Sequence, residues 1–120
     1  MEITLEPIIA ERHIELAGTE EEPARVITVS LGMPRPFPNG TSFYCPYRIS
    51  GFPKDRLQYA GGIDSFQALQ LAQNMISVEM EVRKDAFGER LRWEAGTGGD
   101  LGFPMFQKSS GAIPGSGGSD

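Results

Sequence analysis

The sequence predicts an α+β domain: a mainly antiparallel four-stranded sheet in the order β-β-β-α-β, with one long helix packed on one face. Three observations predict it. Period-two alternation of apolar and polar residues recurs in four separate stretches. One segment starting at Asp64 carries helical spacing and a capping signal at its head. And 120 residues with 39% hydrophobic content suffice for a single core without staples.

The first strand runs from Ile8 to Leu16. Ile8, Ala10, Ile14 and Leu16 share one face, and Glu11, His13 and Glu15 the other. Arg12 interrupts the apolar face, which predicts a place near an edge. An acidic turn follows from Gly18 to Pro23. The second strand spans Val26 to Leu31, with Ile27, Val29 and Leu31 inward. Met33 to Gly40 holds three prolines and reads as a loop. The third strand is Phe43 to Ser50, placing Phe43, Cys45, Tyr47 and Ile49 inward and Tyr44, Arg48 and Ser50 outward. Pro46 cannot donate to a ladder, so an edge or a bulge is expected there.

Gly51 to Ile63 reads as a connection. Asp64 then supplies an N-cap, since its carboxylate can accept from the free N–H groups of the first turn. Gln67, three residues on, completes a capping-box-like pair. Arg83 and Lys84 suit the negative end of the helix dipole, and Gly88 is a stop. At about 100° per residue, Phe66, Ala68, Leu69, Leu71, Ala72, Met75, Ile76, Val78, Met80 and Val82 cover more than half the circumference. An arc so wide predicts packing in a concave sheet, or against a sheet and a second surface. Gln67, Gln70, Asn74 and Ser77 fill an amide and hydroxyl face. The fourth strand is Glu89 to Glu94, with Leu91 and Trp93 inward and Arg90 and Arg92 outward. It is expected in the same sheet, close to the third strand, where a helical crossover allows a parallel pairing. The domain is placed at residues 1–108. Ser109 to Asp120 is too rich in Gly and Ser to build a core and reads as a disordered tail.

Composition narrows function. A net charge of -5 argues against a general nucleic-acid binder and suits a basic protein partner. One cysteine excludes an intramolecular disulfide and a cysteine-rich zinc site. The acidic start MEITLEPIIAERH lacks a signal-peptide pattern, and no apolar run is long enough for a membrane span. The expectation is a cytoplasmic protein, with no membrane or nucleic-acid partner.

Each candidate chemical group has a plainer role beside it. His13, flanked by Glu11 and Glu15, could act as a base, but nothing supplies a nucleophile. Cys45 alternates onto the apolar face and reads as core. The Gly96–Gly102 run is glycine-rich, yet no helix follows it and no P-loop lysine is present, so it reads as a turn. Leu101, Phe103 and Met105 are expected to tuck back onto the body. No cofactor, metal site or catalytic set emerges. The exposed sheet face gathers the most suggestive group: Tyr44, Arg48, Arg90, Arg92 and His13. Tyrosine and arginine anchor protein interfaces, provided the third and fourth strands lie close together.

Five segments, Ile9–Arg12, Cys45–Ile49, Gly62–Ala72, Arg90–Trp93 and Gly99–Pro104, resemble a family of short bacterial proteins known only as a domain of unknown function. The resemblance implies a bacterial cytoplasmic domain and brings no activity or catalytic residues. The expected function is therefore a non-enzymatic protein-interaction module, immunity-like or accessory. The alternative is a small enzyme or ligand-binding domain using the polar sheet face and the Gly96–Gly102 loop.

Overall fold

The computed structural model describes residues 2–104. The tail at 109–120 and the packing of Met105 lie outside the described residues. The architecture is α+β: strands β1 (Ile8–Leu16), β2 (Arg25–Gly32), β3 (Arg35–Pro36), β4 (Phe43–Ser50) and β5 (Leu57–Gly62), then helix α1 (Ser65–Phe87), a 3-10 turn at Gly88–Arg90, and β6 (Leu91–Arg92). Every pairing is antiparallel.

Among the described residues the sheet has six strands rather than the expected four. Tyr47 pairs with Leu31 of β2 and also with Gln58 of β5, so β2 and β5 flank β4. Tyr44 likewise pairs with Arg35 and with Gly61, which puts β3 on the β2 side. The order across the sheet is thus β5, β4, β2, β1, β6, with β3 prolonging the β2 row. Two corrections follow. The fourth expected strand shrinks to two residues, because Gly88–Arg90 is a 3-10 turn, and it lies antiparallel beside β1. It is neither beside nor parallel to β4. In addition, β4 is an inner strand, so of the edge or bulge expected at Pro46 it is the edge that is ruled out. The β2 pairing stops at Leu31–Tyr47 and resumes in β3 at Arg35–Tyr44, so the missing donor sits opposite an interruption in the neighbouring row.

One sheet face carries Ile14, Leu16, Ile27, Val29, Leu31, Cys45, Tyr47, Ile49 and Leu91 into the core, where Ala68, Ala72, Ile76 and Met80 of α1 meet them. Each large side chain buried there contributes about 1.5–3 kcal/mol. The alanines let the helix approach closely. At Gly62 a Cβ would come within 2.5 Å of the Ala68 nitrogen, so only glycine permits this seating. Asp64 caps as expected: its Oδ1 accepts from the Gln67 N–H at 2.7 Å, and Gln67 Oε1 accepts from the Ile63 N–H at 2.8 Å. The Gly88 N–H donates to the Lys84 carbonyl and closes the far end.

The helix buries far less than its wide apolar arc predicts. Phe66, Leu71, Met75, Val78 and Val82 are exposed, and the buried set is Ala68, Ala72, Ile76, Ser77 and Met80. The lone helix lies over β5 and β4, and no second layer covers its outer flank among the described residues. Ser77, expected on the polar face, is buried and donates to the Gln73 carbonyl. That bond satisfies its hydroxyl within the helix.

Candidate interaction surface

The residues expected to form one patch are dispersed. Arg92 sits on β6 and Arg48 on β4, with β1 and β2 between them. Three strand spacings make about 14 Å, so the proximity that would join them is lacking. Tyr44 does point away from the helix, as alternation requires, but it is only 5% exposed. Phe37 from the proline-rich loop and Tyr59 of β5 cover it, with ring centroids 5.3 and 5.9 Å away. Arg48 is held by Asp55, Nε to Oδ1 at 2.9 Å. Arg90 lies in the 3-10 turn, donates to the Ala17 carbonyl at 3.0 Å, and reaches Glu22 at 3.5 Å. His13 and Arg92 are exposed. His13 Nδ1 lies 3.3 Å from the Thr28 hydroxyl and Nε2 3.7 Å from Glu11.

Cys45 is fully buried, and burial pushes its thiol up to about 11. That is the opposite of an activated nucleophile. Its sulfur lies 3.4 Å from the Gly32 carbonyl. Among the described residues, no three His, Cys, Asp or Glu side chains gather as a metal ion would need. No helix there is long and apolar enough to cross a membrane.

The Gly96–Gly102 segment is a turn, as its sequence suggests, and Arg12 holds it in place. β6 pairs with β1 only at Glu15 and Leu16, which leaves the edge of β1 open at Arg12. The guanidinium fills that gap. It lies 4.0 Å from the Trp93 ring centroid and 4.9 Å from that of Phe103. Its Nη1 donates to the carbonyls of Leu101 and Gly102, at 3.3 and 2.8 Å. A charge on the apolar face is thus satisfied by π faces and carbonyls. Gly102, at φ +82°, lies so close that a Cβ would enter the Trp93 ring. The turn borders a surface cleft of about 490 Å³ lined by Arg92, Trp93, Gly96, Gly98, Gly99 and Asp100, among others.

The strongest surface signal is elsewhere. Leu71, Met75, Val78 and Val82 follow one another at spacings of four, three and four. They therefore form one stripe along α1. Val78 is 58% and Val82 60% exposed, and Phe66 and Ile63 near the helix start exceed 70%. The stripe's direction is fixed by its neighbours. Glu79, on one flank, accepts from Gln58 Nε2 of β5 at 3.4 Å. Ser77 and Lys84, on the other flank, border the 98–103 turn. The stripe thus lies on the β5 side of the helix, facing out and away from the sheet. A family model described as a domain of unknown function, DUF6968, matches residues 10–105. That span includes Arg12, Trp93, the turn and the whole of α1. No curated protein and no solved structure matches the chain.

Proposed function

The chain belongs to this family of unknown function, and from its geometry we propose that it is a non-enzymatic protein-interaction module, accessory or immunity-like, that works by holding another protein surface. The observation that carries this reading is the exposed stripe on α1. Four apolar side chains, each roughly half exposed, leave on the order of 3–6 kcal/mol of burial unclaimed. A contiguous apolar patch of this kind marks interaction sites in soluble proteins. A buried, inactivated thiol supports binding over covalent chemistry. In this reading the protein is a bacterial cytoplasmic one, which the lone buried cysteine and the family resemblance support. The outer sheet face serves as a lesser surface. Arg92 can steer a partner by charge and His13 offers it an exposed ring, while Arg48 is committed to Asp55 and Tyr44 anchors the Phe37–Tyr59 cluster.

Immobilised protein tests the assignment. Partners retained by the wild-type chain, whether other proteins or further copies, should be lost with Val78→Glu and kept with His13→Ala and Arg92→Ala. A partner set that survives Val78→Glu overturns the stripe as the binding surface. The second reading, a ligand-binding domain, is favoured by the cleft beside Arg92. Saturable quenching of Trp93 fluorescence by a small anion, lost in Arg92→Ala, would replace the interaction reading with that one.

A further inference from the structure

We propose that the partner of the α1 stripe is a second copy of this chain, joined across a two-fold axis that pairs β5 with β5 and α1 with α1, both antiparallel. This rests on the interaction reading and names the occupant of its surface. The stripe is self-complementary. Its four–three–four spacing is symmetric about the midpoint between Met75 and Val78. A two-fold there sets Leu71 against Val82 of the other copy and Met75 against Val78, which is the isologous contact a dimer requires. Charge agrees with the antiparallel sense. From Ser65 to Val78 the helix has no charged residue, and Glu79, Glu81, Arg83, Lys84 and Asp85 all lie beyond. Antiparallel packing sets each charged half against an uncharged half. Parallel packing would stack each charge on its own copy, like against like.

The sheet supplies the second half of the interface. Among the described residues, β5 pairs only with β4. Its sequence LQYAGG has none of the lysines, prolines or bulges that protect an exposed edge. Helix and edge locate the axis within about 4 Å of each other, roughly one strand residue. α1 runs back along β5, with Gly62 under Ala68 and Gln58 bonded to Glu79. At about 1.5 Å per helical residue and 3.4 Å per strand residue, the point between Met75 and Val78 falls over Gln58, about one residue from the centre of the Leu57–Gly62 edge. The spacing across the axis closes as well. With strands about 4.8 Å apart, β5 and β4 lie about 2.4 and 7.2 Å from the axis. A helix seated over both lies about 5 Å from it, so the two helices are about 10 Å apart, a normal packing distance. The contact face is about 34 Å long, the length of α1, and about 20 Å deep. That is about 700 Å² per copy, close to the ~800 Å² of a standard interface.

Sedimentation of the full chain tests this. The wild type should have twice the 13.1 kDa chain mass, and Val78→Glu should dissociate at least about tenfold more readily with an unchanged circular dichroism spectrum. Register is read by disulfide trapping. Chains carrying Leu71→Cys mixed with chains carrying Val82→Cys should give a covalent heterodimer under mild oxidation, and neither variant alone should cross-link, because facing Cα atoms must lie within about 7 Å. A dimer that tolerates Val78→Glu, or self-cross-linking of Leu71→Cys alone, overturns the arrangement. A monomeric wild type overturns the second copy. If Val78→Glu then still abolishes capture of other proteins, the interaction reading stands without it. If a monomeric Val78→Cys variant resists thiol reagents, the stripe is covered from within its own chain and both readings fall.

Discussion

At the β6 edge of the sheet the closing strand is two residues long, and a side chain completes the closure: Arg12 lies between Trp93 and Phe103 and binds the carbonyls of the 101–102 turn. At the β5 edge the strand is six residues long, uncharged, and bordered by an exposed apolar helix flank. The first edge is sealed within the chain, and the second is suited to receive another backbone. This contrast separates substitutions that should cost stability from those that should cost association.

The largest effect is expected at the sealed edge. Leu91→Ala removes a fully buried side chain and should cost about 2–5 kcal/mol, read as a shifted denaturant midpoint. Arg12→Ala should cost about 2 kcal/mol, from charged hydrogen bonds to two carbonyls and a stacked cation, and should change Trp93 emission. If Arg12→Ala leaves both unchanged, the closure at this edge is cosmetic.

Cys45, paired with Ala60 of β5, offers a pH test on the other side. Its folded thiol is pushed up to about 11 from 9.0. The stabilisation from keeping it neutral is fully present below about pH 9 and lost as pH rises toward 11, on the order of 1–3 kcal/mol. Melting temperature should fall more steeply over that range in the wild type than in Cys45→Ala. Parallel curves would contradict a thiol held neutral by burial.

At the head of α1, Asp64→Ala should cost about 1 kcal/mol, measured by chemical denaturation. The smallest effect on folding is Val78→Glu, within about 0.5 kcal/mol for a solvent-facing position, measured on dilute protein. A large loss there would mean that the stripe packs within the chain, and the contrast between the edges would disappear.

Much of this was legible in sequence, and the failures have identifiable causes. Alternation placed Ile14, Leu16, Ile27, Val29, Tyr47 and Ile49 on the core face correctly, because a half-buried strand imposes period two. The Asp64 cap and the Gly88 stop were equally plain. β5 escapes the sequence reading because its Gly61 and Gly62 read as loop, whereas Gly62 is there to admit α1 at close range. The Tyr44–Arg48–Arg92 patch was assembled on the wrong neighbour relation. Alternation reports the face of a strand but not its place in the sheet, and β6 joined β1 instead of β4. Burial of Tyr44 depends on Phe37, from a proline-rich loop that carries no periodic signal. The apolar arc of α1 predicts burial on more than one side, and the structure covers only the side toward the sheet. Periodicity cannot say whether a second surface comes from the same chain.

The Arg12 contacts join residues 89 and 90 positions apart, and this matters during synthesis. Arg12 leaves the ribosome 89 residues before the first of its carbonyl partners. Until then β1 can pair with β2, but its other edge has neither β6 nor the 101–103 turn beside it. The nascent chain thus carries an open strand edge while those residues are being added, a state that invites mispairing. The cation that later locks the turn is meanwhile a charge on that open edge, the kind of residue that discourages a stranger strand from docking there.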